Sequence, residues 1–138
     1  MILLDTSGLL AAIDSNQTHH NEAARSLSSA RPPLLLSPFV LAELDYLIAS
    51  RVGYAARARL LEEVERGAYE LEPMTARDIT SAHGVIDRYA DFEISLADAS
   101  IVVLSQRHRI RDVLTLDERH FRVLRSDAKH FRLLPADS

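Results

Sequence analysis

Four apolar residues, MILL, open the chain and stop at Asp5. A short apolar run without periodicity is the pattern of a strand buried on both faces. The pattern then turns helical, with Leu9, Leu10 and Ile13 on one stripe. A second helix is predicted from about Thr18 to Ala30, ended by Pro32-Pro33. The run LLL at 34–36 is a second strand. Ser37 and Pro38 then supply an N-cap and a first helical residue for the next helix. Gly53 separates that helix from another, Tyr54 to Arg66, which Gly67 ends. AYELEP reads as a third strand, and two helices follow near Thr75–Tyr89 and Ser95–Arg107. DVLTL at 112–116 is a fourth strand, with FRLLP near the C-terminus a candidate fifth.

Strands separated by helices imply an α/β fold, a short parallel sheet of four to five strands covered by helices on both faces. Sites in such sheets form at the carboxyl ends of the strands, and this places the acidic residues. Asp5 directly follows the first strand and Asp117 follows the fourth. Glu43 lies in the second turn of the helix that begins where the second strand ends. The helix carrying Asp98 runs through a short loop into the start of the fourth strand, so it begins at the same edge, with Asp98 in its first turn. All four carboxylates therefore converge on one rim.

Each acid also has an ordinary structural reading. Asp98 in SLAD completes a capping box with Ser95. TLDE forms another from Thr115 to Glu118, which would leave Asp117 merely exposed. Asp5 could cap the first helix. Glu43 is harder to explain, because a helical wheel sets it between Val40, Leu44 and Leu47, inside the apolar stripe, with no Lys or Arg one turn away. A carboxylate there must be protonated or face a cation.

Composition narrows the class. The 138 residues make one domain of ordinary size, 1–138, with a hydrophobic fraction of 47%. There is no cysteine, no basic leader and no apolar run of membrane-spanning length, so a cytoplasmic protein without a membrane partner is expected. Net charge is −4, yet basic residues crowd the C-terminal third: Arg107, Arg109, Arg111, Arg119, Arg122, Arg125, Lys129 and Arg132. Arginine binds phosphate through a planar fork, so Arg107, Arg109, Arg111 and Arg119 are candidate phosphate contacts, against the plainer reading of a solvated surface.

Several carboxylates at one rim repel unless a cation neutralises them. Oxygen-only ligands suit Mg2+ or Mn2+. The absence of Cys and of HExxH spacing argues against zinc, and the histidines at 19, 20, 83, 108, 120 and 130 are scattered and receive no role. No Walker loop and no nucleophile elbow is present. Acids around one or two hard metals are equipment for cutting phosphodiesters with metal-activated water.

In order and spacing, LLDTSGLLAAI, LSPFVLAEL around Glu43, ISLADASIV around Asp98 and VLTLDERHF around Asp117 resemble the four acidic motifs of PIN-domain ribonucleases, and most closely the VapC-type toxins of type II toxin–antitoxin pairs. The resemblance spans essentially the whole chain. It implies a PIN-like three-layer α/β/α domain and a Mg2+- or Mn2+-dependent endoribonuclease that cleaves structured RNA, a transfer RNA or a ribosomal RNA loop. It also implies a homodimer silenced by a cognate VapB-type antitoxin. Carried over by residue, Asp5, Glu43, Asp98 and Asp117 would be catalytic, metal-binding acids, supported by the hydroxyls of Thr6, Ser7 and Thr115. Asp91, just before the third motif, is extra and is not counted as a ligand. The alternative is a non-catalytic module of the same fold that binds RNA or protein. A phosphatase using a strand-end Asp nucleophile is a weaker reading, since Ser7 stands where that class carries a second Asp.

Overall fold

A computed structural model describes all residues, 1–138. In chain order the elements are β1 (Ile2–Leu4), α1 (Thr6–Ile13), α2 (His20–Ser29), β2 (Leu34–Leu36), α3 (Pro38–Arg51), α4 (Tyr54–Glu65), β3 (Glu70–Leu71) and α5 (Ala76–Arg88). A 3-10 turn (Ala90–Phe92) leads to α6 (Leu96–His108), β4 (Asp112–Leu114), α7 (Glu118–Phe121), β5 (Arg125–Ser126), β6 (Lys129–His130) and β7 (Arg132–Leu134).

Five strands form one parallel sheet in the order β3-β2-β1-β4-β7. The expected elements are all present, and FRLLP supplies the fifth strand. Ile2, Leu3 and Leu4 are at most 1% exposed although successive strand residues point to opposite faces, so helices cover both faces of β1. This is the three-layer arrangement expected above. AYELEP pairs over only two residues, because it is an edge strand that leaves the sheet as soon as Glu72 N–H reaches the Leu36 carbonyl. The β5–β6 hairpin has no counterpart in the sequence pattern, and the helix that TLDE would begin is the single turn of α7, capped from Asp117. Both are too short for periodicity to register, and the hairpin turns on positive φ at Asp127 and Ala128, which are not glycine.

Two contacts set the site edge. The Ser37 hydroxyl accepts from Phe39 N–H at 3.2 Å and lies 2.6 Å from Ser100 Oγ, whose own proton goes to the Ala97 carbonyl. Ser37 therefore donates to Ser100, and the start of α3 is tied to the start of α6. At Gly8 the backbone of α1 presses on the end of β4 so closely that a Cβ would overlap the Leu114 carbonyl and crowd Thr115 N.

Candidate active site

Asp5 ends the central strand, 4% exposed, with its N–H donating to the Leu114 carbonyl at 3.0 Å. Its Oδ2 accepts from Thr115 Oγ1 at 2.7 Å and from Ser7 Oγ at 2.8 Å. Ser7 Oγ in turn accepts from Leu116 N–H at 2.9 Å, and Thr115 Oγ1 accepts from Asp117 N–H at 2.9 Å. The two hydroxyls thus stitch α1 to the loop after β4, and both protons are directed at Asp5. Burial pushes the Asp5 carboxyl up to about 6; the Thr115 and Ser7 hydroxyls oppose the rise, and the Asp98 charge adds to it.

Asp98 sits in the first turn of α6, 8% exposed, in the capping box read from the sequence. Its Oδ2 accepts from Ser95 N–H at 3.1 Å, and its own N–H donates to Ser95 Oγ at 3.0 Å. Capping and site membership coexist, since the box fixes the carboxyl at the helix start. Burial raises its pKa and the Asp117 charge adds to this, against the Ser95 N–H and the nearby His120.

Asp117 corrects one expectation. It is not left exposed by a Thr115–Glu118 box but is itself the N-cap of α7, its Oδ1 accepting from His120 N–H at 3.0 Å. Thr115 is instead taken up by Asp5. Glu43 corrects another: it is exposed rather than inside the apolar face of α3, because α3 buries only Val40, Leu44 and Ile48 and turns Glu43 toward the cleft.

A cleft of about 390 Å3 brings together Asp5, Glu43, Asp98, Asp117, Thr6 and Ser7, with Glu93, Arg51 and His120 also on its wall. His120 carries no role in the sequence reading, yet it is part of this cluster. Its Nε2 lies 2.8 Å from the Phe92 carbonyl, and its Nδ1 is 2.8 Å from Asp117 Oδ2 and 3.7 Å from Asp98 Oδ2. A carbonyl only accepts, so Nε2 carries a proton; Nδ1 between two carboxylates needs one as well. Burial disfavours the imidazolium, but the Asp117 and Asp98 carboxylates and the Phe92 carbonyl outweigh it and raise its pKa. Without a metal His120 is a counter-ion to Asp117, and Asp98, Asp117 and His120 are close enough to share one ion. A signal was present in DERHF, where a His three residues after an N-cap Asp faces it across the first turn.

The donors fit a hard cation. All are oxygens, and the Thr6 hydroxyl on the cleft wall is buried without any hydrogen-bond partner. An orphaned hydroxyl among buried carboxylates costs roughly 1–3 kcal/mol, and a hydrated divalent ion completes both.

The arginines divide. Arg107 sits nine residues along α6 from Asp98, about 13 Å at 1.5 Å per residue. It is engaged by Asp78 at 2.8 Å, Glu72 at 3.7 Å and the Pro73 carbonyl at 3.0 Å. Arg109 and Arg111 follow the same far end of α6; only Arg119, exposed on α7, adjoins the acids. Arg122 pairs with Glu118 and Asp137, and Arg132 with Asp112. Arg107, Arg122, Arg125 and Arg132 are thus tied within the protein, while Arg109, Arg111, Arg119 and Lys129 are not.

The carboxyl edge of this parallel sheet gathers two buried aspartates, Asp5 and Asp98, a half-buried third, Asp117, and the exposed Glu43. The chain matches the PIN-domain family model over residues 2–125, and it belongs to that family. It is 44% identical over 124 residues to Ribonuclease VapC26 of Mycobacterium tuberculosis (strain ATCC 25618 / H37Rv), covering 90% of this chain and 92% of that one. It is also similar to the crystal structure of M. tuberculosis VapC20, a sarcin–ricin-loop-cleaving toxin, with TM-score 0.79 and 25% identity over 85% of this chain and 90% of that one. The fold alone is shared with FitAcB from Neisseria gonorrhoeae, with TM-score 0.62 and 22% identity over 95% of this chain and 96% of that one.

Proposed function

We propose that this protein is a VapC-type toxin, an endoribonuclease that hydrolyses a phosphodiester in structured RNA, a transfer RNA or a ribosomal RNA loop, and is held silent by a cognate antitoxin. The observation that carries the reading is the convergence of Asp5, Asp98 and Asp117 from three different elements on one cleft, with Glu43 on its wall. Asp5, Glu43, Asp98 and Asp117 would hold Mg2+ or Mn2+, which when bound lowers the pKa of a water and offsets charge on the leaving oxygen. The chain supplies the positioning: Ser7 and Thr115 orient Asp5, Ser95 orients Asp98, and His120 orients Asp117. Hydrolysis would leave a 5′-phosphate and a 3′-hydroxyl.

The test is expression in a bacterium without antitoxin, with new RNA 5′ ends mapped across the transcriptome for the wild type and Asp98→Asn. Asn keeps the size and can still accept from Ser95 N–H, so a difference reports the charge. The expected result is growth arrest and a few discrete new ends with the wild type alone. Equal behaviour of two folded proteins, with no new ends, would replace this reading with a non-catalytic binding module.

A further inference from the structure

Five carboxylates line the cleft, from Asp5, Glu43, Glu93, Asp98 and Asp117, together with a single arginine, Arg51. Arg51 stands in the last turn of α3 and is exposed. Its surroundings are acidic, yet no carboxylate of the protein lies within ion-pair distance of its guanidinium, in contrast to Arg57, Arg107, Arg122 and Arg132. His120, the other cation on the wall, is saturated by Asp117 and the Phe92 carbonyl. The cleft thus holds one cation free to take an anion from outside. Its position is equally specific. Glu43 and Arg51 lie on the same helix eight residues apart, which is about 12 Å along the axis. The rise along α3 sets the backbone of Arg51 away from that of Glu43, while its side chain lines the same cleft as the acids.

We propose that Arg51 is the RNA-positioning residue of this site, clamping a backbone phosphate that flanks the scissile one through its planar fork. The inference rests on the ribonuclease reading above. It is added to the candidates at Arg109, Arg111 and Arg119, whereas Arg107 is engaged by Asp78 and Glu72. Without such a cation an acid-lined cleft repels the polyanion it must bind, so a fixed positive charge on the wall sets the strand's register relative to the acids.

The test uses the full chain carrying Asp98→Asn, so that RNA is bound and not cut, with total transfer RNA as the probe. Binding is measured across a salt series with Arg51 intact, with Arg51→Gln and with Arg51→Lys, and melting curves confirm that all are folded. Loss of one phosphate contact makes the slope of log K against log salt shallower by about 0.7–0.9 and weakens low-salt binding roughly fivefold. Arg51→Lys restores the slope but not the full affinity. In otherwise wild-type protein, Arg51→Gln raises KM and also lowers kcat, because the strand is held less often in register with the acids. An unchanged slope in Arg51→Gln, while the Arg51-intact protein binds RNA, overturns the assignment of Arg51 and leaves the ribonuclease reading standing. Absence of both RNA binding and RNA cleavage by the wild type overturns the two together.

Discussion

Asp5 concentrates the energetic conflict of this fold on one side chain. Its carboxyl is raised from 3.8 to about 6, so the folded chain holds a proton that the unfolded chain has already lost between those values. The metal-free protein therefore loses stability as pH rises from about 4 through 6, by up to about 3 kcal/mol for this group. His120, raised above 6.5, acts in the same direction at higher pH: its pairing stabilises the protein below 6.5 and is lost as pH rises through the folded value. Denaturant melts in EDTA at pH 5, 6 and 7.5 are expected to show falling stability, and Asp5→Asn is expected to raise stability at pH 7.5 by about 1–3 kcal/mol while abolishing activity. Stability that instead rises with pH in EDTA contradicts the burial of an ionised Asp5. At this scale the acids were legible in the sequence because each interrupts or ends an apolar pattern. His120 was not, because a single polar residue on a one-turn helix breaks no pattern. Glu43 was found for the wrong reason: the wheel placed it inside the apolar stripe, but α3 buries a narrower face than the wheel assumes.

The elements act as rulers for these side chains. Helix α1 begins at Thr6 directly beneath the end of β4, and only the missing side chain of Gly8 lets the two backbones approach closely enough for Ser7 and Thr115 to reach the same oxygen of Asp5. Gly8→Ala would gain helix propensity on an isolated helix, but here it forces α1 away from Leu114. It is expected to destabilise the protein by about 3 kcal/mol and to cut activity at least tenfold at temperatures where the variant stays folded, read by paired melts and RNA cleavage. A Gly8→Ala variant of wild-type stability and activity would show that the hydroxyl network is not what sets Asp5. The DTSG stretch revealed the acid and hydroxyls; the reason for its glycine lies in a contact with residues more than a hundred positions away, which no local pattern carries.

Over the whole molecule, the parallel sheet explains why four acids distant in sequence meet: β1 and β4 are neighbours, and β2 launches α3 from the other side of β1. That convergence followed from the alternation of strands and helices alone. The strand order did not, nor did the fate of the arginines, because ion pairs such as Arg122–Asp137 and Arg107–Asp78 depend on how helices and tail pack. The outcome is a surface on which half of the C-terminal basic residues hold the protein together, and a cleft whose charge is acidic apart from Arg51 and His120. That these carboxylates assemble a divalent-metal site that cuts RNA is the proposal at stake. It is tested most directly by incubating the purified chain, stripped with EDTA, with total bacterial RNA, then adding back Mg2+ or Mn2+, for the wild type, Asp5→Asn and Asp98→Asn. No cleavage is expected in EDTA, with discrete 5′-phosphorylated products when either metal is restored to the wild type, and a loss of at least a hundredfold in both variants, or about 3 kcal/mol in the barrier. Undiminished cleavage in EDTA, or equal cleavage by Asp98→Asn, would contradict it.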